Sequence, residues 1–145
     1  MLFRSERVLL FVLGEPPTLH LYNVATKEDR ILADNIGRSL HKIPNTNAMS
    51  FVKKNSETDW AIMQLNIETL EIAKLANTLA AKEDFCWLPN GIIVMSDGNR
   101  LFSLDPRKAT QWKEITMGGG YTLKGITRMA TNKNGTKLAV VVAEE

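Results

Sequence analysis

Short apolar segments recur along the chain, and each follows a cluster of turn-forming residues. Asn45, Asn90 and Asn134 each lie in such a cluster, separated by steps of 45 and 44 positions. The segments that follow these clusters are residues 48–52, 92–96 and 138–142. Short apolar or alternating runs bounded by Pro, Asn and Gly predict β-strands. The chain therefore carries a strand-rich repeat.

Further strands are predicted within each repeat. A second series of apolar segments covers residues 19–23, 63–66 and 101–105. Each is followed by a polar turn and by a third series of short segments, at residues 30–32, 71–75 and 112–115. With one more strand ahead of each turn cluster, a repeat holds four short strands. Four strands at a period of about 45 residues are typical of a β-propeller blade.

The predicted fold class is therefore all-β, a partial β-propeller of about three four-stranded antiparallel blades. With strands lettered A to D from the centre outwards, the chain runs B-C-D, then A-B-C-D twice, then A-B. Two complete blades are expected, over residues 39–77 and 83–117, between two partial ones. Residues 69–82 are rich in Ala and Leu, so a helical turn over residues 77–81 is the alternative there.

Composition and charge narrow the classes of partner. The 145 residues are 44% hydrophobic and 23% charged, which is ordinary for a globular protein. The net charge is +2, and Lys and Arg form no block that would neutralise a nucleic-acid backbone. The apolar run at residues 8–13 is too short to span a membrane. Cys86 is the single cysteine, so no disulfide can form within the chain.

Residues 1–5 stand apart from this pattern. The string ATG-CTC-TTC-CGA-TCT would encode them, and it resembles the end of a common sequencing adapter. We therefore expect these five residues to be an artefact preceding a fragment whose true N-terminal part is missing. The domain assignment is therefore an adapter-encoded segment at 1–5 and a partial β-propeller at 6–145.

One segment resembles a known family. Residues 84–91, Asp-Phe-Cys-Trp-Leu-Pro-Asn-Gly, precede the predicted strand at 92–95 and resemble the aromatic-Ser-Pro-Asp-Gly repeat of TolB-like β-propellers. Residues 125–142 are similar to a degenerate final copy. The chain lacks Ser before Pro89 and has Asn90 in place of Asp, changes that a hairpin turn tolerates. The resemblance implies the C-terminal half of a propeller with about six blades.

The resemblance says little about activity, because these repeats occur in periplasmic binding proteins, secreted proteins and the gating domains of some peptidases. It implies a location in the bacterial periplasm or outside the cell.

The innermost strand of each propeller blade lines the central channel. Alignment of the three A strands puts Ser39, Asp84 and Arg128 in one polar layer, with His41, Cys86 and Ala130 two residues further on. Leu40, Phe85 and Met129 fall on the alternate face, where they would pack between blades. The predicted ligand-binding residues are Ser39, His41, Asp84 and Arg128. Solvated strand ends, or an Asp84–Arg128 ion pair of little energetic value, are the alternative interpretation.

No segment predicts catalysis or a bound cofactor. Residues 37–41 read Gly-Arg-Ser-Leu-His, which lacks the second Gly of a nucleophile elbow and its strand-to-helix setting. His20 and His41 lie on different predicted strands, so a histidine metal site is not expected. The glycines at 118–120 fit no phosphate-binding motif. We expect no catalytic residue, no metal and no cofactor.

The function that these observations predict is a non-enzymatic binding or scaffold module. Its channel mouth and loops would be presented to a protein or a small ligand. The alternative is the propeller part of an enzyme, either a calcium-dependent lactonase-like propeller or the gate of a hydrolase or peptidase. A homodimer formed through exposed blade faces is a further possibility.

Overall fold

The computed structural model describes residues 6–116, 118 and 123–143. Residues 1–5, 117, 119–122 and 144–145 lie outside those ranges, and so do the predictions that fall on them. The described strands are β1 (Arg7–Val12), β2 (Thr18–Asn23), β3 (Asp29–Asp34), β4 (Ile36–Lys42), β5 (Ala48–Lys54), β6 (Trp60–Asn66), β7 (Ile72–Asn77), β8 (Phe85–Trp87), β9 (Ile93–Asp97), β10 (Arg100–Leu104), β11 (Lys113–Ile115), β12 (Ile126–Thr131) and β13 (Leu138–Val142).

These strands form four antiparallel sheets in chain order. The sheets are blade 1 (β1-β2-β3), blade 2 (β4-β5-β6-β7), blade 3 (β8-β9-β10-β11) and blade 4 (β12-β13). This order confirms the predicted arrangement of one three-stranded, two four-stranded and one two-stranded unit. The first complete blade begins at Ile36, three residues before the predicted start. The alternative of a helical turn over residues 77–81 is wrong, because β7 extends through Asn77 and the residues after it form a non-helical turn.

Turn chemistry sets where the strands end. The A–B loops of blades 2, 3 and 4 place Asn45, Gly91 and Gly135 at φ of 60°, 84° and 67°. Asn and Gly adopt this left-handed region most readily. The C–D turns of blades 1 and 2 are closed by the carboxamide oxygens of Asn23 and Asn66, which accept backbone N–H bonds two and three residues ahead. These Asx turns fix the hairpin register from local sequence alone.

The core lies between the sheets, because each blade packs against the blade next to it. Three apolar clusters fill the three joints. Blades 1 and 2 meet around Leu9, Leu19, Leu21, Ile36, Met49, Phe51 and Leu65. Blades 2 and 3 meet around Ile43, Val52, Ile62, Phe85, Trp87, Ile93 and Met95. Blades 3 and 4 meet around Cys86, Val94, Leu101, Ile126 and Met129. Burial of these side chains is the main contribution to the stability of the stack.

The joint between blades 2 and 3 also holds a buried polar chain. The Trp87 indole Nε1 donates to Ser50 Oγ at 2.8 Å, and Ser50 Oγ in turn donates to the His41 carbonyl at 3.1 Å. Ser50 is fully buried, so its hydroxyl needs both partners to offset the loss of water. These two hydrogen bonds fix the position of β8 against β4 and β5.

Candidate functional site

The A strands of successive blades touch at equivalent positions of the repeat. Ser39 Oγ donates to Asp84 Oδ1 at 3.2 Å, across 45 positions of sequence. Thr131 Oγ1 donates to the Trp87 carbonyl at 3.0 Å, across 44 positions. The sequence period therefore corresponds to a physical step from one blade to the next, and the polar groups of the three A strands are brought together.

A run of connected cavities follows these A strands, and we call it the inner-strand cleft. Its central part, about 220 Å³, is lined by all four predicted ligand-binding residues, Ser39, His41, Asp84 and Arg128. On one side it continues into a cavity of about 450 Å³ that also involves Arg38. On the opposite side lies another cavity of about 220 Å³, which we call the outer cavity. The cleft is large enough for a short peptide segment or a small molecule.

His41 forms one wall of the central cavity. Burial lowers the pKa of its imidazole, although the nearby Asp84 carboxylate and a hydrogen bond with the Phe85 backbone act in the opposite direction. The His41 ring also packs edge-on against Phe85, with centroids 5.0 Å apart. His41 is therefore a neutral, well-oriented imidazole near pH 7, suited to hydrogen bonding rather than to charge pairing.

Arg128 and Asp84 line the same cavity without forming an ion pair with each other. The ion pair of the alternative interpretation is therefore not formed among the described residues, while its other part, a solvated strand end, agrees with the exposure of Arg128. Asp84 instead accepts the Ser39 hydroxyl. The Arg128 guanidinium makes no hydrogen bond or ion pair with another described residue. Its exposed side chain therefore lines the cleft beside the Asp84 carboxylate without pairing with it.

A second charged group lies next to the cleft and was not predicted from the sequence. Glu83 Oε1 is 3.2 Å from Arg38 Nε, and Glu83 Oε2 is 3.0 Å from Lys54 Nζ. Burial of Glu83 tends to raise its pKa, but the hydrogen bond and charge of Lys54, together with Arg38, lower it overall. The sequence contained one signal for the Arg38–Glu83 contact, which is the spacing. The two residues lie 45 positions apart and occupy equivalent places in adjacent repeats.

Cys86 lines the outer cavity beside His41 and Ala130, yet its side chain belongs to the apolar joint between blades 3 and 4. Its exposed fraction is 3%. Burial raises the pKa of the thiol to about 11, so it is protonated at neutral pH. The predicted packing face is confirmed for Phe85 and Met129, which are buried in the joints.

No three His, Cys, Asp or Glu side chains among residues 6–116 and 123–143 are grouped closely enough to hold a metal ion. Nor does that part of the chain hold a helix of the length and apolarity that a membrane crossing needs.

Antiparallel sheets stacked in chain order, with their first strands side by side, define a β-propeller fold. Solved structures share this fold, and two of them are described here. The crystal structure of TolB from Acinetobacter baumannii matches with a TM-score of 0.63 and 15% identity, covering 95% of this chain and 35% of that one. The crystal structure of a nidogen/laminin complex matches with a TM-score of 0.60 and 15% identity, covering 86% and 47%.

The chain therefore spans between about a third and a half of the chains that it resembles. No protein-family model matches it, and neither does any curated protein. The likeness establishes the partial β-propeller fold.

Proposed function

We propose that this chain is a non-enzymatic binding module that holds a carboxylate-bearing ligand, such as an acidic peptide segment of a protein, in the inner-strand cleft. The observation that carries the proposal is the unpaired guanidinium of Arg128 in a cavity shared with Ser39, His41 and Asp84. Arg is well matched to carboxylates because its planar fork of N–H donors can form two parallel hydrogen bonds.

The surrounding groups support this role. Arg38 lies along the same cavity, although its charge is partly taken up by Glu83. The neutral His41 ring and the Ser39–Asp84 pair add hydrogen-bonding groups that could read polar atoms of the same ligand. All of these groups are carried on or directly beside strands rather than on long loops, so little conformational entropy is lost when a ligand binds.

The family and location belong to this proposal as well. The repeat at residues 84–91 supports membership of the TolB-like propellers and, with it, a periplasmic or extracellular location. The nidogen/laminin match supports the idea that a propeller of this kind can take a protein partner.

Peptide binding tests the proposal. Fluorescein-labelled peptides rich in Asp and Glu are titrated against the chain by fluorescence anisotropy, beside the same peptides with Asn and Gln in place of the acids. We expect binding of the acidic set only, and a loss of at least about tenfold in affinity, or about 1.4 kcal/mol, for Arg128→Gln. Arg30→Gln is the matched control, because Arg30 is an exposed arginine on the outer strand β3.

Equal binding of the acidic and amide peptides, or unchanged binding by Arg128→Gln, would contradict the proposal. Hydrolysis of a panel of ester and peptide substrates without any stable binding would favour the alternative, the propeller part of an enzyme.

A further inference from the structure

A groove of about 480 Å³ opens at the outer rim of the joint between blades 1 and 2, and we call it the rim groove. Strand β3 of blade 1 forms one wall, and strands β5, β6 and β7 of blade 2 form the other. The lining residues that matter for its chemistry are Leu32, Asp34, Phe51, Lys53, Met63 and Ile72. Among the described residues, none lines both the rim groove and the inner-strand cleft. The rim groove is therefore a separate site, and both of its walls are sheets that the structure describes.

The strand register identifies the residue of blade 3 that corresponds to Ile72. Ile72 pairs with Leu65, which is the residue before the Asx turn of blade 2. In blade 3 the residue before the Asx turn is Leu104. The register of β10 with β11, continued by one step, places Trp112 opposite Leu104. Trp112 is therefore the equivalent of Ile72 one blade further on.

Trp112 fills the joint between blades 2 and 3 at its rim. Its ring packs against the apolar cluster of that joint, together with Leu75 of the outermost strand of blade 2. Its indole Nε1 donates a hydrogen bond to the Asn77 carbonyl at 2.9 Å. Blade 3 thus inserts a tryptophan against the outer strand of the blade before it.

The outer strand of blade 1 offers the same features to the rim groove. Leu32 and Leu75 are each the extra residue of their strand at a β-bulge, since the register skips both of them. Asp34 and Asn77 each lie two positions further on. The Asp34 carbonyl is therefore the equivalent of the carbonyl that accepts the Trp112 indole, and Leu32 is the equivalent of the leucine that packs beside it.

The rim groove lacks the ring that would fill it. Ile72 is smaller than tryptophan and is 37% exposed. Lys53 Nζ donates to the Asp34 carbonyl and pairs with the Asp34 carboxylate, so these two charges compensate each other. A carbonyl oxygen has two lone pairs and can accept a second donor. Apolar walls, balanced charges and an acceptor suit a neutral aromatic ring that carries an N–H group.

We propose that the rim groove binds the tryptophan side chain of a partner polypeptide, in the place that Trp112 occupies at the next joint. The indole ring would lie against Leu32, Met63 and Ile72, with its N–H directed to the Asp34 carbonyl. Trp112 enters its joint from the residue before β11, the outermost strand of its sheet, so its backbone stays at the rim while its ring points inwards. An extended partner segment at the rim can present a tryptophan in the same way, and tryptophan is among the residues that contribute most to protein interfaces.

Titration with N-acetyl-L-tryptophanamide, followed by NMR of isotope-labelled methionine methyl groups, tests the site. Met63 lines the rim groove, whereas Met129 lines the inner-strand cleft. We expect the Met63 methyl signal to shift saturably, because an indole in contact with it imposes a ring current, and the Met129 signal to stay in place. The same probe methylated at the indole nitrogen has no N–H donor and should bind about three- to tenfold more weakly. N-acetyl-L-leucinamide should give no shift.

One substitution fills the groove from within the chain. Ile72→Trp places an indole where blade 3 has Trp112, and it should weaken binding of the tryptophan probe at least about tenfold. Val24→Trp is the matched control, because it adds a tryptophan at a residue that is 51% exposed and does not line the groove. This control should bind the probe as the wild type does. Far-UV circular dichroism confirms that both variants are folded.

Absence of a saturable Met63 shift in the wild type would overturn the proposal, and so would a shift of Met129 alone. Equal binding of the leucine probe, or unchanged binding by the folded Ile72→Trp variant, would also overturn it. Equal binding of the methylated probe would contradict the hydrogen bond to Asp34. Free indole is the comparison for a small-molecule ligand. If free indole bound more tightly than the tryptophan amide, the assignment to a partner's side chain would be wrong.

Discussion

Among the described glycines with ordinary backbone angles, Gly37 has the closest neighbours, and it lies at the joint between blades 2 and 3. A Cβ atom at this position would lie 3.0 Å from Glu83 Oε2, 3.1 Å from Glu83 Cβ and 3.2 Å from Val52 Cβ. Val52 is fully buried and cannot move aside, while Glu83 is held by Lys54 and Arg38. The absence of a side chain at Gly37 is therefore a packing requirement rather than a need for unusual backbone angles.

We predict that Gly37→Ala lowers the free energy of unfolding by about 1–3 kcal/mol, because the added methyl group overpacks the joint. Urea denaturation followed by tryptophan fluorescence measures the change. Gly14→Ala is the control, since its added Cβ would meet only the Pro16 carbonyl at an ordinary 3.5 Å, and we expect a change within about 0.5 kcal/mol. Equal stability of the two variants would show that the joint is looser than these distances imply.

At the scale of elements, Glu83 ties the segment before β8 to two strands of the preceding blade, through Arg38 on β4 and Lys54 on β5. Lys54 also lies over the Trp60 ring at 4.3 Å from its centroid, so the position of its ammonium group is fixed from two sides. The pKa of Glu83 is lowered from its ordinary value of 4.5 by Lys54 and Arg38, against the opposing effect of burial. Folding therefore favours the ionised carboxylate.

This coupling predicts a pH-dependent contribution to stability. A carboxyl group whose pKa is lowered on folding stabilises the protein above its unfolded pKa, and that stabilisation is lost as the pH falls through the folded pKa. Glu83→Gln should thus lower Tm at pH 7, by on the order of 2 °C, and the difference from wild type should shrink below about pH 4. Thermal melts from pH 3 to pH 7 measure this difference in Tm, because carboxyl groups titrate within that range.

Glu57→Gln serves as the comparison, because Glu57 is exposed in the loop before β6 and should leave Tm unchanged over the whole range. A Glu83→Gln difference that is constant with pH would mean that packing, and not charge, explains the loss.

The elements could be predicted because their ends are encoded locally. Asn23 and Asn66 close their own turns, and the Asn-Gly pairs mark the A–B loops, so the order of strands follows from neighbouring residues alone. Neighbouring residues alone do not predict the contacts of Glu83 and Gly37, nor the hydrogen bond between Trp87 and Ser50. They arise when one blade is laid on the next, between residues about 40 positions apart, and the short-range pattern does not specify which side chains will meet.

The candidate site was predictable only to the extent that it follows the repeat. Alignment of equivalent positions placed Ser39, Asp84 and Arg128 in one layer, and the described cavity is lined by all three. Whether two charges in such a layer pair, or one remains free, depends on distances between strands of different blades, and the sequence contains no local signal for those.

At the scale of the whole molecule, the chain is a stack in which each sheet is stabilised by its neighbours, so stability should vary with position along the stack. β5 and β6 lie in a sheet covered on both sides, with Phe51, Val52, Ala61 and Ile62 at most 1% exposed. β13 pairs only with β12 in a two-stranded sheet and has Val141 and Val142 largely open to solvent.

We therefore predict that amides of β13 exchange with deuterium at least about tenfold faster than those of β5 and β6, because opening the last sheet disrupts one joint and opening blade 2 disrupts two. Hydrogen exchange read out by mass spectrometry of peptide fragments measures the ratio. The β7 and β11 edge strands of blades 2 and 3 provide internal references for edge position without loss of a neighbouring blade. Uniform protection of β13 and β5 would mean that the four sheets open as a single cooperative unit, and that the uncovered face of blade 4 costs the fold nothing.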